Sequence, residues 1–181
     1  CGAVNAIISA LDAVESDDVQ LAHSGGALLS SLVTPDDLKD ALSCMNDDSI
    51  SDKKVVQMTS LVSNLALDSN NAMDIVENGG VETIMKGLDR HGETAKSASK
   101  ALERLADSRV NASVIVKSGA VEKLVKLVQD DKNDLTVKSS AMSAIANLVE
   151  TEGAVERIIN SGGVELACDS ILSNSSGSKV N

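Results

Sequence analysis

Apolar residues fall at helical spacing along much of this chain. Val121, Leu124, Val125 and Val128 share one side of a helix, and Val137, Ala141, Ile145, Leu148 and Val149 share one side of another. A shorter apolar run over about Val110–Lys117 precedes them and stops at Gly119. Steps of three, four and seven residues mark a helix with 3.6 residues per turn. The stretch 111–149 therefore predicts three consecutive helices.

This stretch recurs. Ile75-Val76-Glu77-Asn78-Gly79-Gly80-Val81-Glu82 returns as Ile115-Val116-Lys117-Ser118-Gly119-Ala120-Val121-Glu122. It returns again as Ile158-Ile159-Asn160-Ser161-Gly162-Gly163-Val164-Glu165, so the glycines stand 40 and 43 residues apart. A glycine just past an apolar run stops a helix, because it takes the left-handed conformation without a Cβ clash. Gly2-Ala3-Val4 is the back half of the same anchor. A second anchor closes the third helix: Leu61-Val62-Ser63-Asn64-Leu65-Ala66, Ala101-Leu102-Glu103-Arg104-Leu105-Ala106 and Ala144-Ile145-Ala146-Asn147-Leu148-Val149, again spaced by 40 and 43. Leu28-Leu29-Ser30-Ser31-Leu32-Val33 is a weaker copy, 33 residues earlier. A period of about 40 residues with three helices per unit predicts a stacked helical array.

The units divide as follows. Residues 1–33 form an irregular partial repeat, with helices expected over 2–15 and 18–33 and a break at Gly25-Gly26. Residues 34–69 form a two-helix repeat. Thr34-Pro35-Asp36-Asp37 starts its first helix, with Thr as cap and acids in the first turn. Leu38, Ala41, Leu42 and Met45 face inward there. The second helix, Asp52–Asp68, turns Val55, Met58, Leu61, Val62, Leu65 and Ala66 inward. Residues 70–109 form a full repeat with helices over 70–78, 80–89 and 93–107, the last packing through Ala95, Ala98, Ala101 and Ala106. Residues 110–151 form another full repeat. Residues 152–172 are a partial one with helices over 152–160 and 163–172, and 173–181 reads as a disordered tail. The chain begins at Cys1, opens within a repeat and ends before the third helix of its last one, so it reads as a piece of a longer protein.

The two anchors in register resemble the armadillo repeat. Each full unit has a short helix ending in Gly and two longer ones, and Asn64 and Asn147 match the Asn of the family's Ala-x-x-Asn-Leu third-helix ending. The resemblance covers residues 52–172 well and 1–51 loosely. It implies an all-α, armadillo-like α-solenoid, a right-handed superhelix of about four repeats whose third helices line a concave face. Related helical repeats of the HEAT type are the structural alternative.

Composition narrows the function. Among 181 residues there is no Phe, Trp or Tyr, so a core must come from Leu, Ile, Val, Met and Ala. The formal net charge of −11 argues against nucleic acid, which needs a basic stripe and stacking aromatics, and against an anionic membrane surface. No run of about 18 apolar residues and no signal-peptide pattern is present, so no membrane insertion is expected. Cys1, Cys44 and Cys168 lack metal-ligand spacing and fit a reduced, intracellular compartment, cytoplasmic or nuclear.

No catalytic constellation can be assembled, and no cofactor or metal is implied. His23 and His91 lack sequence-local partners. Asp36-Asp37, Asp47-Asp48 and Asp130-Asp131 suit caps and solvated loops, and the run from Asp47 to Asp52 lacks the Gly and terminal Glu of a calcium loop. Gly79-Gly80 and Gly162-Gly163 are followed by no Lys-Ser/Thr, so they are not phosphate loops.

The concave face is the better candidate. In the armadillo frame the ladder position runs Ser31, Asn64, Arg104, Asn147. One turn earlier it runs Ala27, Ser60, Lys100, Ser143, and a further turn brings Gln57, Ser97 and Ser140 into line. An Asn offers both donor and acceptor to an extended peptide backbone; its other role is to bond neighbouring backbone within the repeat. Nuclear-import receptors of the family carry a Trp where this chain has Ser60, Lys100 and Ser143, so import-signal recognition is disfavoured. Lys100 and Arg104 favour an acidic or C-terminal-carboxylate segment. The expected function is a non-catalytic protein–protein interaction scaffold for an extended protein or peptide segment. The alternatives are a structural assembly element that self-associates through exposed repeat ends, tested at Leu11 or Leu172, and a regulatory domain of a larger protein.

Overall fold

The structure, a computed structural model, describes residues 34–46 and 51–165. The helices expected over 2–15 and 18–33, Ala27 and Ser31 of the ladder, Leu11, His23, Asp47-Asp48, Leu172 and the tail 173–181 lie outside the described residues. Among the described residues the chain is all-helical, with no strand. The helices are α1 (Pro35–Met45), α2 (Asp52–Leu65), α3 (Ser69–Glu77), α4 (Gly80–Leu88), α5 (Glu93–Leu105), α6 (Arg109–Lys117), α7 (Ala120–Gln129), α8 (Leu135–Leu148) and α9 (Ala154–Asn160). Residues 163–165 begin a further helical turn.

Local chemistry sets these boundaries. A reciprocal capping box opens α1: the Asp37 amide donates to Thr34 Oγ1 at 3.2 Å, and the Thr34 amide donates to Asp37 Oδ2 at 3.1 Å. The Thr34 hydroxyl, which donates to Asp37 Oδ2 at 2.7 Å, and then the Thr34 amide hold the Asp37 carboxyl below its usual pKa. Ser51, Asp68 and Asp134 cap α2, α3 and α8 by accepting from the first-turn amides. Gly79 and Gly119 turn the chain from α3 into α4 and from α6 into α7 at φ of 77° and 88°, as their place after an apolar run predicts.

Helix ends differ from the periodic reading by a turn or less. The helix expected to reach Asp68 stops at Leu65, because Asp68 takes the N-cap of α3 and accepts from the amides of Asn70 and Asn71. The helix expected over 93–107 stops at Leu105. The one expected from 152 starts at Ala154, after Gly153 at φ 81°.

The core is aliphatic and continuous from Leu38 to Ala154. Its largest fully buried side chains include Met58, Leu61, Leu102, Leu105, Leu124 and Leu148. Ala95, Ala98 and Ala101 are fully buried on α5, and a Cβ placed on Gly87 of α4 would stand 3.0 Å from that of Ala98, so these two helices meet through small residues. Two inward assignments change. Ile145 is only partly buried, and Val149 is exposed.

The helices associate in a repeating way. α5 lies against α2 on one flank and α8 on the other, the most extensive helix–helix packing among the described residues. The first helices, α3 and α6, barely meet. Polar links join successive units elsewhere. Arg90 pairs with Asp52, Lys123 with Asp89 at 2.5 Å, and Arg157 with Glu122.

Candidate functional site

The third helices α2, α5 and α8 bring the sequence-selected side chains into one row. Arg104, near the end of α5, turns back toward α2. Its Nη1 donates to Asn64 Oδ1 at 2.8 Å and to Ser63 Oγ at 3.0 Å. Asn147, near the end of α8, turns back toward α5. Its Nδ2 donates to the Glu103 backbone oxygen at 3.0 Å and to Asp107 Oδ1 at 3.1 Å. The ladder is thus a strap of hydrogen bonds running α8 to α5 to α2, each rung reaching back one helix. Both roles open to Asn64 and Asn147 begin from this fact. Each amide spends one end on its neighbour, Asn64 its oxygen and Asn147 its nitrogen, and keeps the other end without a partner among the described residues.

Burial shapes the charges around the strap. Arg104 is half-buried, and desolvation lowers its pKa against the opposing pull of Glu103 and Asp107. Desolvation raises the pKa of Glu103, with Lys100 and Arg104 opposing and Asp107 reinforcing. Lys100, one turn before Arg104, is exposed and makes no hydrogen bond or ion pair among the described residues. Ser60, Ser97, Ser140, Ser143 and Gln57 are half-buried in the same row. The row is therefore shallow, lined by small polar groups, with one uncommitted cation in its middle.

Ser63, Glu103 and Asp107 were not singled out from the sequence, yet they complete the strap. Ser63 and Glu103 each directly precede a ladder residue, so the repeat register itself marks them. The remaining candidates take local roles. His91 is exposed in the loop before α5, Asp130 accepts from the Lys132 amide, and Asp131 faces Lys138 at 3.7 Å. Among the described residues no group of three or more His, Cys, Asp or Glu side chains could hold a metal ion, and no helix is long and apolar enough to cross a membrane. A cleft of about 630 Å³ opens between α6, α7 and α9, lined in part by Lys117, Glu122, Glu156 and Arg157. Within it Arg157 pairs with Glu122.

No protein-family model and no curated protein matches this sequence. Among solved structures, the crystal structure of an engineered protein is similar, with a TM-score of 0.67 and 24% identity over 90% of this chain and 69% of that one. The likeness is one of fold, and it agrees with the all-helical, repeat-like architecture described above.

Proposed function

We propose that this chain is a non-catalytic protein-interaction module, an armadillo-like solenoid that holds an extended segment of a partner along α2, α5 and α8. The observation that carries the reading is the unequal packing of the units. Third helices pack extensively flank to flank while first helices barely meet, which supports a stack that curves toward its third helices. The inner side of such a curve is a groove, and it presents the shallow polar row.

The chemistry of that row supports a backbone ligand. The free amide nitrogen of Asn64 is a donor and the free amide oxygen of Asn147 an acceptor, placed on either side of Lys100. Lys100 supplies an open positive charge in the middle of the row. With a net charge of −11, the chain repels a long acidic run at a distance. The fitting ligand carries a single carboxylate, such as a chain terminus, on an otherwise neutral extended strand.

A displayed peptide library with free C-termini tests the reading. Selected peptides are expected to lose at least tenfold in affinity to the Lys100→Glu chain, with unchanged helicity by circular dichroism. Lys126→Glu, on the exposed side of α7, is expected to leave binding intact. Peptides indifferent to Lys100→Glu would remove the groove from consideration.

A further inference from the structure

The strap has two unlike ends. Between α5 and α2 stands the Arg104 guanidinium, which donates to Asn64 Oδ1 at 2.8 Å and to Ser63 Oγ at 3.0 Å. A guanidinium only donates, so it fixes the Asn64 amide with its oxygen toward Arg104. The Nδ2 of Asn64 is left as a donor without a partner among the described residues. Between α5 and α8 stands Asp107. Its Oδ1 accepts from Asn147 Nδ2 at 3.1 Å, and the Glu103 carbonyl accepts from the same nitrogen at 3.0 Å. Both of these oxygens only accept, so Asn147 is fixed the opposite way, and its Oδ1 is left as an acceptor. The row is polarised: cation and open donor toward α2, carboxylate and open acceptor toward α8.

Lys100 stands one turn before Arg104 and is exposed. Ser60 on α2 and Ser143 on α8 flank it at one height, so hydroxyls are offered on both sides. The amides and charges decide between the sides. A carboxylate held by Lys100 gains the Asn64 donor and the Arg104 charge when it leans toward α2. Leaning toward α8, it meets Asn147 Oδ1 and Asp107, and both repel it. The strand's own N–H groups point the same way. On α2 the acceptors of the rung, Asn64 Oδ1 and Ser63 Oγ, already serve Arg104. On α8 Asn147 Oδ1 is open. A strand continuing across α2 brings N–H groups to a rung with no open acceptor, whereas a chain that ends there brings none.

Resting on the groove reading above, we propose that the partner presents a free C-terminus. Its carboxylate lies between Lys100 and Asn64, and its strand leaves across α8, where one amide donates to Asn147 Oδ1. Packed helices stand about 8–10 Å apart and an extended strand advances about 3.3 Å per residue, so that amide lies about three residues before the end. Lys100 and Asn64 read the chain end, and Asn147 sets the direction of the strand. An internal Asp or Glu offers the same carboxylate but continues in both directions.

The probe is a peptide selected on the chain from a library with free C-termini. It is remade as the free acid, as the C-terminal amide, and with two glycines added after its last residue. The acid is expected to bind at least tenfold more tightly than either other form. Asn64→Asp keeps an oxygen for Arg104 and replaces the open donor with an acceptor. It is expected to weaken the acid at least tenfold and to remove most of the preference for acid over amide. A nitroxide on the fourth residue from the end is expected to broaden the amide signals of α8 more than those of α2. Lys100→Glu separates the two levels. A peptide indifferent to it removes the groove, and the end-reading with it. A peptide that needs Lys100 yet binds equally as acid, amide and extended form draws its carboxylate from an internal Asp or Glu, which overturns the end-reading alone. So would stronger broadening on α2 than on α8, or an acid preference that survives Asn64→Asp.

Discussion

Replacing Arg104 separates the two roles that an asparagine ladder can have. Arg104→Met keeps the aliphatic stem that packs between α2 and α5 and removes only the guanidinium. Two bonds go with it, to Asn64 Oδ1 at 2.8 Å and Ser63 Oγ at 3.0 Å. A hydrogen bond to a charged group contributes about 1.5–3 kcal/mol net when water is excluded. Here the site is half-buried, and the freed Asn64 oxygen regains water, so Arg104→Met should cost about 1–2 kcal/mol. Asn64→Ala costs less, because Arg104 keeps Ser63 as an acceptor. In a double-mutant cycle read by urea unfolding, the coupling between Arg104 and Asn64 should be about 1 kcal/mol, near a fivefold change in the folding constant. Matching unfolding slopes for all four chains would validate the cycle, since repeat arrays can lose two-state behaviour. A coupling below about 0.3 kcal/mol, or an Arg104→Met chain more stable than the parent, would refute the strap as a structural element.

Other sites give sharper local tests. Ala98→Leu forces a large side chain against Gly87, where even a Cβ on that glycine would be 3.0 Å away, so a loss of about 1–3 kcal/mol in urea unfolding is expected. Gly79→Ala should cost about 1–2 kcal/mol from the backbone alone, because φ is 77° while the nearest atom to the new methyl is 3.9 Å away. Glu103 has a folded pKa above its unfolded value, so its ionisation weakens the fold as pH rises through that interval. Glu103→Gln should accordingly raise the urea midpoint at pH 7 and leave it unchanged at pH 3. Asp134 behaves oppositely: its cap bonds depress its pKa, so its contribution is present above the usual carboxylate range and fades as pH falls through the folded value. Asp134→Ala should lower the melting temperature at pH 7 and Asp134→Asn much less, with the difference between Asp134→Ala and the parent shrinking at low pH.

Much of the fold is legible in residue spacing because burial in a stacked helix repeats with the helix period. Val55, Met58, Leu61, Val62 and Leu65 can be placed inward from the 3.6-residue step alone, and all are buried. Helix ends are harder, because Ala66 and Ala106 stay buried after the helix has ended and so continue the apolar pattern. Val149 defeats the same reasoning for another reason: its burial depends on what packs against α8, which the spacing within α8 cannot state. For the candidate site, register shows which residues share a height on neighbouring helices. It does not show which way a long side chain turns. Asn64, Arg104 and Asn147 are thus found together from sequence, whereas the bond from Arg104 to Asn64, and the parts of Ser63, Glu103 and Asp107, required coordinates.

The most direct test of the interaction surface is amide chemical-shift mapping of the ¹⁵N-labelled chain, titrated with a peptide selected for a free C-terminal carboxylate. The groove account predicts shifts clustered at Ser60, Asn64, Ser97, Lys100, Ser143 and Asn147, on three helices that are distant in sequence and adjacent in the fold. Shifts confined to α3, α6 and α9, with α2, α5 and α8 silent, would contradict it and place the partner on the first helices instead.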